Sequence, residues 1–390
     1  MEMLHRDPWP GSCPAIDPFE PCARGNPGPL PACLAGAEHV AIALGTFNGA
    51  AYLPAQLESL LRQTHRDWSL WIHDDGSTDG TWGLLSDFAA RARGQGHHVA
   101  MARRAAPGCS ARSLSGSSAA RARAPAQTPA HAHTQAQGRI SERAGVARAY
   151  HWLLSGPGPL NAPYTALCDQ DDIWAPDRLA RGVAGLSRLV DMSDPDKPAP
   201  PAMHSAAMGL IDAQGAPLGL SRPRAGAAPP NPGFAAALAR CPTNAPTLLL
   251  TRAAMALLRR TPLPPGLASL DWWLVTLVLG CGGTLLHDPA ETVAYRQHAG
   301  NTLGEAGTWR GIRNRLGLLA SGDYRRWRDA LVSGLGAAPL TQEARRVVAA
   351  YGAAPARGAA RAQALRRAGL VRAERAERII ATLGAYCGCL

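Results

Sequence analysis

The chain has 390 residues, 46% of them apolar, and a formal net charge of +11, which suits one sizeable core with additions and excludes a purely disordered polymer. The positive balance does not single out nucleic acid as a partner, because Lys197 is the only lysine and the arginines crowd into 101–148 and the tail after 305, away from the acidic motifs. Nine cysteines stand without the paired spacing of a zinc site, and Cys387 and Cys389 match no common redox motif, so free thiols in a reducing cytoplasm are expected.

Residues 1–37 are rich in Pro and Gly without a period and read as a disordered leader. Asp7, Pro8, Pro10 and Pro14 interrupt the basic-then-apolar order of a signal peptide. A short apolar run at 39–45 predicts a strand, and 51–62 predicts a helix with Leu53, Leu57, Leu60 and Leu61 at helical spacing. A second strand at 68–73 runs into Asp74-Asp75-Gly76-Ser77-Thr78-Asp79, followed by a helix over about 79–93 and a third strand at 98–102. This order predicts a parallel sheet with crossover helices. From 104 to 138 the sequence turns to Ala, Ser, Arg, Pro and Gln with no apolar period, which reads as a disordered insertion.

The pattern resumes with a helix around 144–154 and a strand at 164–168 that ends in Asp169-Gln170-Asp171-Asp172. A helix over 176–190, a Pro-rich loop at 193–201 and a strand pair at 202–212 follow, then a helix from about 231 and a strand at 247–250. Helices at 252–260 and 271–279 precede the last strands at 284–295. The stretch 267–286 is apolar enough to imitate a membrane span, but Asp271 and the Gly280-Cys281-Gly282-Gly283 turn within it favour a buried helix and turn. The division expected is a main domain over 38–304 and a basic helical extension over 305–390.

Four clusters carry chemistry. Asp74 and Asp75 stand at the carboxyl end of a strand, where open α/β sheets bind ligands, and a carboxylate there can accept the imide proton of uracil or thymine. The same residues also make a turn with an Asx cap on the next helix, or the paired acids of a phospho-receiver site. Asp169, Asp171 and Asp172 repel one another unless a cation sits among them, and oxygen ligands at a strand end suit Mg2+ or Mn2+ holding a diphosphate. The plain alternative is a solvated loop capping the next helix, against which Ile173-Trp174 would pack the loop inward. Asp271, in Leu270-Asp271-Trp272-Trp273, loses solvation between indoles and so approaches a usable general base, a role compatible with capping its helix. In Tyr295-Arg296-Gln297-His298 the arginine and histidine could neutralise a diphosphate or complete a metal shell, although a lone histidine is more often a structural hydrogen-bonder.

Taken in order, Thr46-Phe47-Asn48-Gly49, the 73–79 segment His-Asp-Asp-Gly-Ser-Thr-Asp, the 168–174 segment Cys-Asp-Gln-Asp-Asp-Ile-Trp, Asp271-Trp272-Trp273 and Tyr295-Arg296-Gln297-His298 resemble the family 2 glycosyltransferases, especially the rhamnosyltransferase-like members that build bacterial surface polysaccharides. The resemblance covers roughly 39–304. It implies an α/β fold of GT-A (Rossmann-like) type, a mostly parallel sheet with flanking helices, here followed by a C-terminal helical extension. It implies an inverting transferase that uses Mg2+ or Mn2+ to move a sugar, L-rhamnose among the candidates, from a dTDP- or UDP-sugar to a glycan or lipid-linked glycan acceptor. On that resemblance Thr46 and Asn48 line the nucleotide pocket, Asp74 or Asp75 contacts the base, and Asp169 holds the ribose or sugar. Asp171, Asp172 and His298 hold the metal, Arg296 steadies the departing diphosphate, and Asp271 is the base.

The chain departs from the family pattern at Ala245-Pro246-Thr247, where relatives show Gly-Cys-Thr, at Arg143-Ala144-Gly145, which bears on Arg148 as a diphosphate contact, and at Leu270. Two rival readings accompany the enzyme. One is a non-catalytic sugar-nucleotide-binding relative acting as a regulator or subunit. The other is a membrane-surface module, in which Arg366, Arg367, Arg372, Arg375 and Arg378 alternate with Leu365, Leu370, Val371, Ile379 and Ile380 and dock on anionic lipid, unless that helix simply covers the core.

Overall fold

The computed structural model describes residues 36–104, 150, 153–156, 159, 161–191, 199–222, 232–267, 269–298, 317, 321–370, 382 and 384–387. The leader up to residue 35, the insertion from 105, Arg148 and the basic stretch 371–381 lie outside the described residues.

Strands β1 (Val40–Thr46), β2 (Trp68–Asp74), β3 (His98–Arg103) and β4 (Tyr164–Cys168) pair in parallel in the order β3-β2-β1-β4. Every residue of β2 and β4 is buried, as expected of a parallel sheet covered on both faces, where near-continuous apolar runs replace alternation. β1 divides its side chains between two cores. Val40, Ile42 and Leu44 meet α1 (Leu53–Leu61) and α2 (Thr81–Gly94), while Ala41 and Ala43 face the other layer. Pro54 opens α1, where its missing N–H would have had no helical partner.

Beyond β4 the sheet changes direction. β8 (Leu249–Thr251) is antiparallel to β4, and β6 (Ala202–Ile211) is antiparallel to β8. β9 (Thr284–Arg296) then runs parallel to β6. β7 (Pro217–Arg222) lies antiparallel beside β6, and the two-residue β5 (Ile173–Trp174) pairs antiparallel with the end of β9. The α/β layering follows the sequence reading, but this half makes the sheet more mixed than its opening strand–helix order suggests. The β5–β9 pairing, Ile173 opposite Ala294, has a further effect: it brings the end of β9 against the acidic loop.

Helices α3 (Arg178–Asp191), α4 (Phe234–Ala239) and α5 (Arg252–Arg260) precede α6 (Leu270–Gly280). Thr251 caps α5, its hydroxyl accepting from the Ala254 amide. α6 is buried from Trp272 to Gly280, the mark of a helix that is apolar all round and lies inside a core. The strand expected at 247–250 is shorter than its sequence suggests. Pro246 has no N–H, and the Thr247 and Leu248 amides close a 3-10 turn, Ala245–Thr247, on Asn244 and Ala245 carbonyls, so β8 starts at Leu249.

The described part of the extension forms α7 (Asp323–Leu335), α8 (Gln342–Gly352) and α9 (Ala359–Arg367). Trp327, Leu331, Leu335 and Leu340 share one core with Trp272 and Trp273 of α6, each large buried side chain contributing about 1.5–3 kcal/mol. The Thr341 amide donates to Gly280 O at 2.8 Å. A Cβ on Gly334 would stand 2.8 Å from the Pro264 ring and 3.0 Å from Trp273, so the backbone of α7 approaches that closely only because the residue is glycine. The extension is thus a layer behind the helix that begins at Asp271.

Candidate active site

Three loops leave the carboxyl ends of β1, β2 and β4 and are stitched together by side chains. The Phe47 amide donates to Gln170 Oε1 at 2.8 Å and Gln170 Nε2 donates back to Phe47 O at 3.0 Å. Gly49 makes this possible, since a Cβ there would lie 2.2 Å from Gln170 Oε1. Asn48 has φ +46°, the only left-handed non-glycine among the described residues, a conformation asparagine tolerates better than most. Its amide donates to Ser77 Oγ and its Oδ1 accepts from the Thr78 amide, at 2.9 and 2.8 Å.

Within this frame Asp74 and Asp75 part company. Asp74 is fully buried and its carboxylate accepts from Thr46 Oγ1 at 3.0 Å, Ser77 Oγ at 2.5 Å and the Ser77 amide at 3.0 Å, with Arg103 Nε 3.3 Å away. Its oxygens are occupied inside the protein, and Thr46 is turned onto Asp74 by the same bond. Asp75 remains partly exposed and pairs with Arg104 at 2.9 Å. Of the two, Asp75 is the one that solvent reaches. Phe47, 54% exposed, stands on the same rim.

The acidic loop after β4 is closed round by protein. Tyr150 shares its one phenolic hydrogen between Cys168 O at 2.5 Å and Asp169 Oδ1 at 2.6 Å, and its ring packs against Gly45. Burial, followed by the charges of Asp171 and Asp271, holds the Asp169 carboxyl well above the usual carboxylate range. Burial and the neighbouring charges of Asp171 and Asp169 raise Asp172 as well. Asp171 Oδ2 lies 2.8 Å from His298 Nε2, and the His298 ring sits 4.7 Å from that of Tyr52.

Two of the residues named from sequence are enclosed by protein here. Asp172 does not join Asp171 and His298 around one point; among the described residues no group of three His, Cys, Asp or Glu side chains gathers as a metal cluster. Its side chain is fully buried and its Oδ1 accepts from the Arg296 amide at 3.2 Å, because the β5–β9 pairing draws it under β9. Arg296 is also buried rather than facing a phosphate. Its Nε donates to Asp171 O at 2.8 Å and its Nη1 to Ala213 O at 3.0 Å and Asp212 O at 3.3 Å, with Tyr52 5.1 Å from the guanidinium carbon. It clamps the acidic loop to the turn after β6.

The remaining donor set still fits a divalent ion in part. The Asp171 carboxylate and the His298 imidazole stand 2.8 Å apart, and Asp169 shares the loop with them. Mg2+ and Mn2+ sites with few protein ligands are completed by phosphate oxygens and water.

Asp271 opens α6. Its carboxylate accepts from the Ser269 hydroxyl and from the Trp272 amide, and the Ala245 amide also donates to it. Burial outweighs these donors and pushes the carboxyl up to about 6, the range of a working general base. Asp271 and Asp171 both raise Asp169 through their charge, which places the start of α6 near the acidic loop. Cys241 lies within the field of Asp271 too.

Sequence reasoning missed Tyr150, Gln170, Tyr52 and Arg178. Gln170 carried a signal, being the one neutral residue in an acidic run. Tyr150 and Arg178 carried none, since the bonds from Tyr150 to Asp169 and from Arg178 to Pro246 span 19 and 68 residues.

Known proteins align with parts of this chain. EpsE of Bacillus subtilis (strain 168), named as a glycosyltransferase, is 37% identical over 51 residues, 13% of this chain and 18% of EpsE, so the match spans less than a fifth of that curated relative. Among solved structures, S. aureus TarS 1-349 in complex with UDP overlays with a TM-score of 0.46 at 12% identity, covering 80% of this chain and 70% of that one. The mannosyltransferase PcManGT from Pyrobaculum calidifontis, in complex with GDP-Man and Mn2+, gives a TM-score of 0.39 at 16% identity, covering 90% and 85%. Residues 41–124, from β1 through the loop after β2 and beyond β3, match the model of glycosyl transferase family 2.

Proposed function

We propose that this chain is an inverting glycosyltransferase that takes a sugar from a nucleotide diphosphate and joins it to a hydroxyl of a glycan or lipid-linked glycan. The observation that supports it is the nearness of Asp271 to the acidic loop, its charge acting on Asp169, together with the preceding segment that matches the family model. The donor is a dTDP- or UDP-sugar, with L-rhamnose the sugar that the motifs suggest. Asp75 and the Asn48 loop receive the base and ribose, and Asp169, oriented by Tyr150, receives the ribose or sugar. Asp171 and His298 would hold Mg2+ or Mn2+, which supplies charge neutralisation to the departing diphosphate. Asp271 takes the acceptor hydroxyl's proton as that oxygen bonds to the anomeric carbon and the carbon–phosphate-oxygen bond breaks, inverting the configuration in one displacement. The lipid-linked form of the acceptor would be met at the membrane surface; no described helix is long and apolar enough to cross a membrane.

A second reading, a sugar-nucleotide-binding relative without turnover, draws on the missing three-ligand group among the described residues. One assay separates the two. UDP-, dTDP- and GDP-sugars are incubated with the protein in Mn2+ and in EDTA, and nucleotide diphosphate is measured. Metal-dependent release supports the transferase; saturable binding of a donor with no release in either condition overturns it in favour of the second reading.

A further inference from the structure

We propose that Arg178 is a positioning residue that ties the acidic loop to the support of Asp271, so that the donor and acceptor sides of the site keep one geometry. The proposal rests on the transferase reading above. Arg178 begins α3 and is buried to 4% exposure. Its guanidinium lies on the Trp174 ring, 3.5 Å from the centroid. One terminal nitrogen, Nη2, reaches Pro246 O at 2.5 Å, Leu167 O at 3.3 Å and Leu248 O at 3.4 Å.

These carbonyls belong to the two sides of the site. Leu167 lies on β4, two residues before Asp169. Pro246 lies in the 3-10 turn, beside Ala245, whose amide donates to Asp271. Arg178 therefore stands one residue from a hydrogen bond to the base and two from the first carboxylate of the acidic loop.

The chemistry of the choice is informative. A cation buried against carbonyls instead of a carboxylate is costly, and burial brings the Arg178 guanidinium down to about 9. The charges of Asp172 and Asp169 oppose that shift, so Arg178 is also the counter-charge behind the acidic loop. A methionine of similar length would cover Trp174 without the cost of the buried charge. What it cannot do is donate to the carbonyls of both segments at once. Lysine could donate to these carbonyls but lacks the flat face that stacks on the indole.

The test compares the full-length wild type with Arg178→Met and Arg178→Lys, measuring transfer kcat, donor KM and the acid limb of the pH profile. The groups that face Asp271 are Asp169 from the acidic loop, Cys241 from the loop before the 3-10 turn and Ser269 ahead of α6; none of them is altered. Arg178→Met is expected to lower kcat about 100-fold, as small misplacements of reacting groups do, with a much smaller rise in donor KM. Losing the Ala245 donor raises the Asp271 carboxyl, so the acid limb moves upward by about one pH unit. Arg178→Lys recovers kcat to within about 10-fold of wild type.

An Arg178→Met protein that melts cooperatively and keeps wild-type kcat and acid limb overturns the proposal. So does a fall in kcat with an unmoved limb and no benefit from lysine, the signature of a merely structural residue. If Arg178→Met does not fold, Arg178→Lys decides alone: a partial loss with an upward limb supports the proposal, and a wild-type profile overturns it. A wild type with no turnover sinks the transferase reading and this inference with it, whereas an active wild type with an unchanged Arg178→Met sinks this inference only.

Discussion

Asp74 and Asp271 belong to different elements and meet opposite treatment. Asp74, at the end of β2, receives two hydroxyls, an amide and a neighbouring guanidinium, and is wholly enclosed. Asp271, at the start of α6, receives amides and one hydroxyl but no cation among the described residues, in surroundings that push its carboxyl up to about 6. The contrast shows how environment sorts chemically identical side chains. A carboxylate supplied with donors and a positive partner becomes a structural tie, while one deprived of solvation without a cation keeps an appetite for a proton near neutral pH.

The strongest way to break this comparison is Asp271→Asn. With the proton acceptor gone and the shape retained, kcat for transfer should fall about 1,000-fold, while calorimetric donor affinity in Mn2+ stays near wild type. A matching loss of donor binding would instead make Asp271 part of the donor pocket. His298→Ala removes the partner of Asp171 Oδ2 and should raise the Mn2+ concentration for half-maximal activity about 100-fold; an unchanged titration would detach the histidine from any metal role.

The Asp74–Asp75 pair sharpens the contrast on the donor side. Asp74→Ala leaves the buried Thr46 and Ser77 donors without their acceptor and should cost about 3 kcal/mol in urea unfolding. Asp75→Asn should leave stability within about 0.5 kcal/mol and change the preference among uracil, thymine and guanine donors. Reversed effects would exchange their assignments. The smallest expected effect is Tyr150→Phe. It deletes one hydroxyl from a buried contact with Asp169 and should raise donor KM about 10-fold, with kcat and melting temperature little moved.

What could be read from sequence follows from the range of the interactions involved. The parallel strands declared themselves as apolar runs because both their faces are covered, and α6 because it is buried all round. The acidic loop and Asp271 were legible as types of chemistry in local sequence. Their selection was not. Nothing in Asp74-Asp75 tells which carboxylate turns inward, because that depends on Thr46 and Arg103 in other strands. Asp172 and Arg296 read as a metal ligand and a diphosphate contact, yet the pairing of β5 with β9 buries both, and the Arg296 guanidinium donates to main-chain carbonyls. Arg178 and Tyr150 were silent for the same reason: their partners sit 68 and 19 residues away in Pro246 and Asp169.

The base role of Asp271 is tested most directly by the pH dependence of kcat at saturating donor, acceptor and Mn2+. A buried carboxyl held up at about 6 is protonated and inactive below that pH and ionised above it. The expected result is a rate that climbs through a single ionisation near pH 6 and levels off toward neutrality, with the limb missing from the residual activity of Asp271→Asn. A rate that is flat or falling through that range, or a limb that survives in the variant, would contradict it.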